Sequence, residues 1–316
     1  MRYLRQVIFE KIGKSKQKLL EESTAVIIGV GAIGSISAEL LARAGVNLVV
    51  IDRDIVELNN LQRQKLFEEQ DIGKSKAIIA RERLNKINKD ISVEAYASDL
   101  DYENIDSLAK GDIILDCTDN FETRFLINEY AVKKKIPWIY AAVIGSSGMI
   151  MNIVPGKTAC FRCVFKEPTA LLGTCDTEGI LNTIPNVISA MQVTEAIKIL
   201  TRQVYSKGLI YYDIWANKLI KSKVNKQNDC PVCNKKFEYL TGEKRSELVK
   251  YCGTNTYQIK NKNNLEELEK RFKNLGKVVK SDYYLNFDGI IIFKDRVLIK
   301  ANSKEEAKSI FDRYLR

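Results

Sequence analysis

Histidine is absent from the 316-residue sequence. It is the side chain that most often serves as a general acid or base near neutral pH, and it is the commonest protein ligand for metals. Its absence excludes serine–histidine–aspartate triads and histidine-ligated metal centres. Any catalysis by this chain must therefore rest on cysteine, carboxylates, lysine, arginine or a bound cofactor.

Long apolar stretches are missing as well. No segment approaches the roughly 20 apolar residues of a membrane-spanning helix. The residues that follow Met1 carry charges without the apolar run of a signal peptide. We therefore expect a cytoplasmic protein with no membrane partner. The content of 45% hydrophobic and 28% charged residues is that of a globular protein, which excludes a disordered or fibrous chain.

Acidic residues are fewer than basic ones. Lysine and arginine number 50 against 40 aspartates and glutamates, which gives a net charge of +10. This excess favours anionic partners such as nucleotides, acidic proteins or RNA, and no DNA partner is predicted. A lysine-rich chain with only 5 prolines is equally typical of a biased genome composition, so the charge alone does not select a partner class.

Four of the seven cysteines form two Cys-x-x-Cys pairs, Cys160 with Cys163 and Cys230 with Cys233. Structural disulfides are rare in cytosolic proteins, whereas two such pairs supply the four thiolates of a tetrahedral zinc site. The second pair lies in a polar stretch, residues 225–236, that offers no core around it. We therefore predict a structural zinc site, and four reduced core thiols are the alternative.

The N-terminal part of the chain has the pattern of a βαβ unit. Residues 24–30 read as a buried strand, a Gly-x-Gly-x-x-Gly loop and a helix follow, and a second strand at 48–52 ends in an acid. The later strands are separated only by short turns. The predicted fold class is α/β, a doubly wound Rossmann-like sheet with an antiparallel extension. Further strands are expected at 91–98, 112–116, 136–143, 148–154, 209–214 and 218–224, and further helices at 74–88, 122–135 and 186–202.

The length predicts one large domain or two ordinary ones. A lysine- and asparagine-rich stretch closes a first domain, residues 1–236, and the pattern restarts in a small α+β domain, residues 247–316. The small domain carries no motif that points to a chemistry, and its Cys252 is expected to be a packed small residue. Its predicted elements are a strand at 255–260, a helix at 264–274, strands at 278–286, 288–294 and 296–301, and a helix at 303–315.

The glycine loop, with Gly29, Gly31 and Gly34, predicts a phosphate site. Backbone N–H groups at a helix start cradle phosphate oxygens, and an acid at the end of the second strand, here Asp52, commonly holds a ribose hydroxyl. Because dehydrogenases share this motif, the loop alone does not identify the nucleotide.

Two segments after the second strand favour a triphosphate. Residues 59–64 (Asn-Asn-Leu-Gln-Arg-Gln) form a dense polar loop, and residues 73–76 (Gly-Lys-Ser-Lys) open the next helix. Arg63 can bind phosphate oxygens with its planar fork, and Lys76 can reach one as a point charge. Hydride transfer needs no such cations, so a nicotinamide-dependent oxidoreductase is disfavoured. The alternative for each cation is a solvated basic surface.

A second acidic element, residues 116–120 (Asp-Cys-Thr-Asp-Asn), ends another predicted strand and is followed by Arg124. Strand C-termini in such sheets face the ligand crevice. Asp119 is predicted to hold Mg²⁺, because oxygen ligands suit this ion and a triphosphate needs a counter-cation. The alternative is that Asp119 only caps the following helix.

The set of motifs resembles the MoeB/ThiF/HesA family of sulfur-carrier adenylyltransferases, which also forms the adenylation core of ubiquitin-activating enzymes. The resemblance covers about residues 1–235 in order. The matching segments are Arg2-Tyr3-Leu4-Arg5-Gln6, the glycine loop, Asp52-x-Asp54, Asn59-Asn60-Leu61-Gln62-Arg63, Gly73-x-x-Lys76, Asp116-Cys117-Thr118-Asp119-Asn120 with Arg124, and both cysteine pairs.

The resemblance implies a homodimeric enzyme that binds ATP and Mg²⁺ and activates the C-terminal glycine of a small ubiquitin-like protein ending in Gly-Gly. Carried over by position, Gly31 and Ala32 lie against the nucleotide, and Asn60 joins Arg63 and Lys76 at the phosphates. The whole predicted nucleotide site consists of Gly29, Gly31, Ala32, Gly34, Asp52, Asp54, Asn59, Asn60, Arg63, Gln64, Lys76, Thr118, Asp119 and Asn120.

The resemblance also assigns Arg5 and Cys175. Arg5 resembles the family's finger that reaches into the partner subunit's site. Cys175 matches a position from which some members attack the activated carboxylate or form a persulfide, and a residual loop cysteine is the alternative. The implied catalytic set is Arg5, Arg63, Lys76, Asp119 and Cys175. Because residues 247–316 contain no recognisable sulfurtransferase loop, sulfur is expected to come from an external sulfurtransferase.

The segment 141–145 (Ala-Ala-Val-Ile-Gly) is expected to support the carrier's glycine tail, since small residues leave room for an extended peptide. A plain turn is the alternative. Two other functions stay open within the same superfamily. One is activation of a carboxylate on tRNA, which the positive charge would suit. The other is a non-catalytic nucleotide-binding partner subunit, which the presence of Arg63, Lys76 and Asp119 disfavours.

Overall fold

The computed structural model describes residues 2–167, 178–244, 248–250, 255–281 and 283–316. The chain forms two compact units, Met1–Lys244 and Arg245–Arg316, which we call the N-terminal and C-terminal units. No helix in the described parts of the chain combines the length and apolar character needed to cross a bilayer.

The N-terminal unit alternates strands and helices, as expected from its pattern. Its strands are β1 (Thr24–Ile28), β2 (Asn47–Ile51), β3 (Val93–Tyr96), β4 (Ile113–Asp116), β5 (Trp138–Ile144), β6 (Ser147–Ile153), β7 (Leu209–Asp213) and β8 (Lys218–Ser222). The helices whose full extent is described are α1 (Leu4–Ile8), α2 (Gly13–Glu22), α3 (Ala32–Ala44), α4 (Lys76–Ile87), α5 (Ile105–Leu108), α6 (Phe121–Lys134), α7 (Phe161–Val164) and α8 (Thr183–Leu200).

The eight strands form one sheet in the order β3-β2-β1-β4-β5-β6-β7-β8. The pairs from β3 to β5 are parallel, and the pairs from β5 to β8 are antiparallel. The predicted fold class is confirmed. The chain moves outward from β1 to β3 and then returns to place β4 on the other side of β1. The carboxyl ends of β1 and β4 therefore flank the switch point, where ligands bind in sheets of this kind.

Both faces of the sheet are covered, which explains why its central strands read as continuous apolar runs. Ile27 and its neighbours on one face pack with α3, α4 and α8. Val26 and Ile28 point to the other face, where Phe125 and Phe161 belong to the same core. The two hydrophobic layers hold the strand ends, and hence the loops that follow them, in fixed positions.

The sequence predicts no helix in the first 22 residues, yet α1 and α2 form there. In α2 only Gln17 and Leu20 are buried, and lysines occupy much of the remaining surface. The apolar periodicity that identifies a helix is therefore almost absent from this segment.

The described residues of the C-terminal unit form a six-stranded antiparallel sheet and two helices. Its core includes Phe272, Phe287, Val297 and Phe311. The elements are β9 (Leu248–Lys250), β10 (Thr256–Lys260), α9 (Leu265–Lys273), β11 (Val278–Lys280), β12 (Leu285–Phe287), β13 (Ile290–Ile292), β14 (Arg296–Lys300) and α10 (Lys304–Leu315).

The predicted single strand at 278–286 is wrong. The chain reverses within it, so that Val278 pairs with Phe287 across a hairpin. The segment contains neither glycine nor proline, and its turn signal is limited to the serine–aspartate pair at 281–282.

Candidate functional site

The glycine loop connects β1 to α3 and is tightly packed at two of its three glycines. Gly29 has a φ of +85°, and a Cβ atom there would lie 2.8 Å from the carbonyl oxygen of Cys117. A Cβ atom on Gly34 would lie 1.9 Å from the carbonyl oxygen of Gly29. These two positions exclude any side chain.

Gly31 differs from the other two glycines. The nearest atom to a Cβ at this position would be Nε2 of Gln64, at 3.8 Å. Gly31 is also the N-cap of α3, and no side chain among the described residues caps this end of the helix. Space and unsatisfied N–H groups therefore coincide at the start of a 13-residue helix, an arrangement that suits an anion.

Asp52 follows β2 and is buried beside this loop. Its carboxylate accepts hydrogen bonds from the backbone N–H groups of Val30 and Asp54. Burial raises the pKa of Asp52, and repulsion by Asp54 adds to this, while Lys76 and the two backbone bonds oppose it. The carboxylate is thus held in place by the glycine loop itself, at the position expected of a ribose ligand.

Lys76 is the first residue of α4 and is only 6% exposed. Burial by itself would lower the pKa of Lys76, but attraction to the carboxylates of Asp54, Asp52, Asp119 and Glu57 outweighs it and raises the pKa. The lysine is therefore a buried cation close to acids from two loops, one after β2 and one after β4. A cation in such a place can bind phosphate without first having to gain a proton.

The polar loop 59–64 folds around a short 3₁₀ turn, Leu58–Asn60. The buried amide of Asn60 donates to Oδ1 of Asn59 at 2.8 Å, and the guanidinium of Arg63 donates to the carbonyl oxygen of Asn59 at 2.8 Å. Oε1 of Gln64 is buried and has no hydrogen-bond partner among the described residues. This orphaned acceptor lies in the side chain closest to Gly31, next to the open helix start.

The loop after β4 is fixed by a buried ion pair. Asp116 is fully buried, and its carboxylate lies 3.3 Å from Nε of Arg124 and accepts from the N–H and hydroxyl groups of Thr118. Arg124 also donates to the carbonyl oxygen of Thr118. Burial raises the pKa of Asp116 although Arg124 opposes it. The two charged groups clamp Thr118, the residue that precedes Asp119.

The N-cap of α6 is Asn120, whose side-chain oxygen accepts from the N–H of Thr123 at 2.9 Å. The alternative explanation for Asp119, that it caps this helix, is therefore wrong. Asp119 is exposed, and it contributes to the raised pKa values of both Lys76 and Arg124. The structure thus brings the carboxylate of Asp119 into the electrostatic neighbourhood of the predicted phosphate ligands.

An ion pair that the sequence does not predict lies beside Asp52 in the chain. Nη1 of Arg53 donates to Oδ1 of Asp99 at 3.0 Å, with side-chain exposures of 18% and 14%. Asp99 lies in the loop after β3, and only the pairing of β2 with β3 brings the two residues together. No sequence signal links them.

The segment 141–145 forms the end of β5 and the turn to β6. Pairing of β4 with β5 ends at Asp116 and Tyr140, whereas β5 continues along β6 to Ile144. The N–H of Gly145 donates to the carbonyl oxygen of Gly179 at 3.0 Å. The part of the chain that leads into α8 is therefore tied to this turn.

The four cysteines of the two pairs converge. Their sulfur atoms all lie within 4.8 Å of one another, and four of the Sγ–Sγ distances are 3.5, 3.6, 3.6 and 3.7 Å. A tetrahedral Zn²⁺ with Zn–S bonds of about 2.3 Å requires sulfur atoms about 3.8 Å apart. The donor set and its spacing fit zinc, and Cys160, Cys163, Cys230 and Cys233 are the ligands that would hold it.

The two remaining predicted catalytic residues are Arg5 and Cys175. Arg5 is exposed on α1, where Leu4, Ile8 and Phe9 are also 47%, 63% and 56% exposed. Cys175 lies outside the described residues, as does Cys252.

The sequence is similar to a family of known proteins. The profile of the ThiF family matches residues 3–232. A sulfur carrier protein ThiS adenylyltransferase from Bacillus subtilis (strain 168) is 40% identical over an alignment of 332 positions, which spans 99% of this chain and 99% of that protein. The protein of the same name from Escherichia coli (strain K12) is 36% identical over 237 residues, which cover 74% of this chain and 94% of that protein.

Solved structures show the same relationship. A crystal structure of E. coli MccB with MccA-N7isoASN has a TM-score of 0.66 at 27% identity, over 74% of this chain and 75% of that one. The family model covers well over half of the sequence, and the B. subtilis relative also matches the C-terminal unit. The resemblance inferred from the motifs is confirmed, and the chain belongs to the ThiF family.

Proposed function

We propose that this chain adenylates the C-terminal glycine of a small ubiquitin-like sulfur-carrier protein and releases pyrophosphate. Its relatives are adenylyltransferases, and this chain is an ATP-dependent enzyme of the same kind. The observation that carries the proposal is that the buried Lys76 pairs with Asp54 and lies near Asp52, the acid that holds the glycine loop. The same loop has open space at Gly31. A triphosphate with its ribose fits this distribution of cations, acids and backbone donors.

The proposed binding mode follows from the side chains. The ribose hydroxyls donate to Asp52, which the glycine loop already orients. The phosphates lie over Gly31 and Ala32, where Asn60, Arg63 and Lys76 supply donors, and the amide nitrogen of Gln64, the side-chain atom nearest to Gly31, supplies another. Arg63 gives planar, two-pronged contacts and Lys76 gives a point charge. Asp54, Asn59, Gly29, Gly34, Thr118 and Asn120 complete the shell that holds these groups.

Asp119 is the proposed ligand of Mg²⁺. Its carboxylate is exposed, is not needed as a helix cap, and lies in a loop that Asp116 and Arg124 hold rigid. A bound Mg²⁺ neutralises charge on the phosphates and helps to orient them. We propose a structural role for zinc at the four cysteines, because all four ligand positions are taken and none is open for substrate.

The proposed reaction needs no histidine. The terminal carboxylate of the carrier is ionised at neutral pH, so one of its oxygens can attack the α-phosphorus directly. A new C(=O)O–P bond forms, the bond from the α-phosphorus to the bridging oxygen breaks, and pyrophosphate leaves with those electrons. No proton transfer is required. The chain supplies positioning and charge neutralisation, which are the main contributions in transfers of this type.

The carrier's tail is proposed to lie along the end of β5. There the small side chains of Ala141 and Ala142 leave room for glycines, and β5 extends beyond the last pair that it makes with β4. β8, which is separated from β5 by β6 and β7, is the edge strand of the sheet, and all five of its residues are exposed. Trp215, Leu219 and Ile220 present 82%, 51% and 38% of their surface. This apolar edge suits the globular part of a carrier.

A homodimer is part of the proposal. The apolar side chains of Leu4, Ile8 and Phe9 are exposed on and next to α1, and Arg5 lies among them. Contact of this surface with a second copy would bury the apolar groups and carry Arg5 toward the partner's phosphates. Cys175 is proposed to act after adenylation, in thioester or persulfide transfer, with sulfur supplied by an external sulfurtransferase.

The test is ATP–pyrophosphate exchange with the purified full chain. We expect exchange of labelled pyrophosphate into ATP only when a small protein ending in Gly-Gly from the same genome is present. The same carrier without its last two glycines is the control, and bulk tRNA tests the other class of carboxylate. Exchange that depends on tRNA and ignores every carrier would replace the proposal with the tRNA-modifying alternative.

A further inference from the structure

Gln192, near the middle of α8, is completely buried. Its amide nitrogen donates to the carbonyl oxygens of Asp116 at 3.0 Å and Ile139 at 3.2 Å. Its amide oxygen accepts from the hydroxyl of Ser37 at 2.8 Å and from the thiol of Cys117 at 3.5 Å. A glutamine side chain has two donor hydrogens and an oxygen with two lone pairs, so every hydrogen-bonding position is used.

These four contacts join one side chain to three other elements. Ser37 belongs to α3, Asp116 is the last residue of β4, and Ile139 lies in β5. The two carbonyl groups come from neighbouring parallel strands, at the level where β4 leaves the sheet and β5 continues. Gln192 therefore ties α8 to the point from which the loop 117–120 departs.

The same contacts reach the glycine loop through Cys117. The backbone of Cys117 packs so closely on Gly29 that a Cβ there would lie 2.8 Å from its carbonyl oxygen. A Cβ on Gly34 would lie 3.2 Å from the Cβ of Cys117. A shift of Cys117 would therefore displace both the glycine loop and the start of Thr118–Asp119. Gln192 holds Cys117 directly through its thiol and indirectly through the preceding carbonyl.

We propose that Gln192 is a positioning residue for binding of the ATP·Mg²⁺ complex. It fixes the loop 117–120 relative to the start of α3, so that the carboxylate of Asp119 and the backbone N–H groups of the glycine loop meet one phosphate chain. The inference rests on the proposed function, because it takes Asp119 as the ligand of Mg²⁺. A purely structural role would affect folding without changing the dependence of ATP binding on Mg²⁺.

The test compares wild type with Gln192→Met, which has similar length but makes no hydrogen bonds. Equilibrium binding of ATP is measured over a range of Mg²⁺ concentrations, with thermal unfolding in parallel. We expect the half-saturating Mg²⁺ concentration to rise about 10- to 100-fold, the usual effect of removing a residue that orients a metal ligand. Gln192→Glu keeps the acceptor oxygens but loses both donors, and we expect an effect at least as large.

Asn128→Leu is the matched control. Asn128 is also completely buried, and its side-chain oxygen accepts from the N–H of Phe161 at 2.9 Å, on the opposite face of the sheet. This variant should lower thermal stability and leave the Mg²⁺ dependence of ATP binding unchanged. If Gln192→Met does not fold, Ser37→Ala and Cys117→Ala each remove one contact and should shift the Mg²⁺ dependence in the same direction by a smaller factor.

The inference is overturned if the half-saturating Mg²⁺ concentration of Gln192→Met equals that of wild type. It is also overturned if both single-contact variants give the wild-type value. A shift that Asn128→Leu reproduces overturns it as well. Failure of the proposed function is a separate result. A wild-type chain that binds ATP with Mg²⁺ but never exchanges pyrophosphate with any carrier would refute the proposed substrate, while the binding measurement would still decide the role of Gln192.

Discussion

Nζ of Lys76 lies 3.6 Å from Oδ2 of Asp54. The lysine is buried, and the aspartate is about one-third exposed. An unpaired buried ammonium group would lose its proton more readily, but the acids around Lys76 raise its pKa instead. The ion pair therefore keeps Lys76 protonated in the predicted phosphate site before any nucleotide binds.

We expect Lys76→Met to reduce carrier-dependent pyrophosphate exchange by about 10²- to 10³-fold, because one preorganised cation is lost from the phosphate site. The measurement is kcat/KM for ATP in the exchange assay. Lys74→Met is the matched control, since Lys74 lies two residues earlier and is exposed. Equal activities for the two variants would contradict the phosphate role of Lys76.

Binding of ATP should weaken as the pH falls toward the raised pKa of Asp52. Burial and Asp54 raise this pKa above the ordinary value of 3.8, so protonation begins at a higher pH than for an exposed aspartate. The protonated carboxyl is a poorer acceptor for ribose hydroxyls, and affinity is therefore lost on the acidic side. Because ATP itself titrates, the readout is the ratio of wild-type to Asp52→Asn affinity at each pH.

This ratio should fall on acidification, since Asp52→Asn has no carboxyl group to protonate. Asp54→Asn removes one source of repulsion, so the loss of affinity should move to lower pH in that variant. Circular dichroism at each pH checks that the protein remains folded. A ratio that does not change with pH would show that Asp52 does not bind the ribose as a carboxylate.

The fold was predictable to the extent that local patterns determine it. The continuous apolar runs of β1 and β2 and the glycine loop between them identify a parallel, doubly covered sheet. The helix α2 and the hairpin at 278–287 were not predictable, because the first has almost no apolar stripe and the second has no glycine or proline at its turn. Both form because tertiary partners are present.

The site was predictable where its residues adjoin strand ends. Asp52 and Asp119 follow β2 and β4, which run parallel on the two sides of β1, so the sheet topology brings both residues to the same edge. Gln192 and the pair Arg53–Asp99 were not identified, since their partners come from distant segments. Arg5 could be assigned only through a resemblance, because its proposed target lies in another subunit.

The four-cysteine site should hold one zinc ion per chain in the purified protein. Cys233→Ser removes a ligand, and we expect it to lose the metal and to lower the melting temperature by about 10 °C or more, since a structural zinc site contributes directly to folding. Metal content is measured by elemental analysis and unfolding by calorimetry. Cys117→Ser is the control and should retain zinc. A wild-type chain that contains no zinc and is no more stable than Cys233→Ser would support four reduced core thiols instead.

The proposed action of Arg5 across a dimer predicts complementation. Arg5→Ala and Asp119→Ala should each be nearly inactive in pyrophosphate exchange. After subunit mixing, a heterodimer has one site with its own Asp119 and an intact Arg5 from the partner. Random exchange of subunits in a twofold dimer should therefore restore about a quarter of the wild-type activity. No recovery, although mixed dimers are demonstrated by mass spectrometry, would place Arg5 outside the partner's site.

The most direct measurement is the mass of a Gly-Gly carrier after incubation with the chain, ATP and Mg²⁺. We predict that the intact carrier gains the mass of one adenylyl group at its C-terminal carboxylate, and that the gain is absent with Arg63→Ala or Asp119→Ala. A carrier of unchanged mass, under conditions where the chain binds ATP and the carrier together, would contradict the central claim that this site activates a protein's terminal glycine.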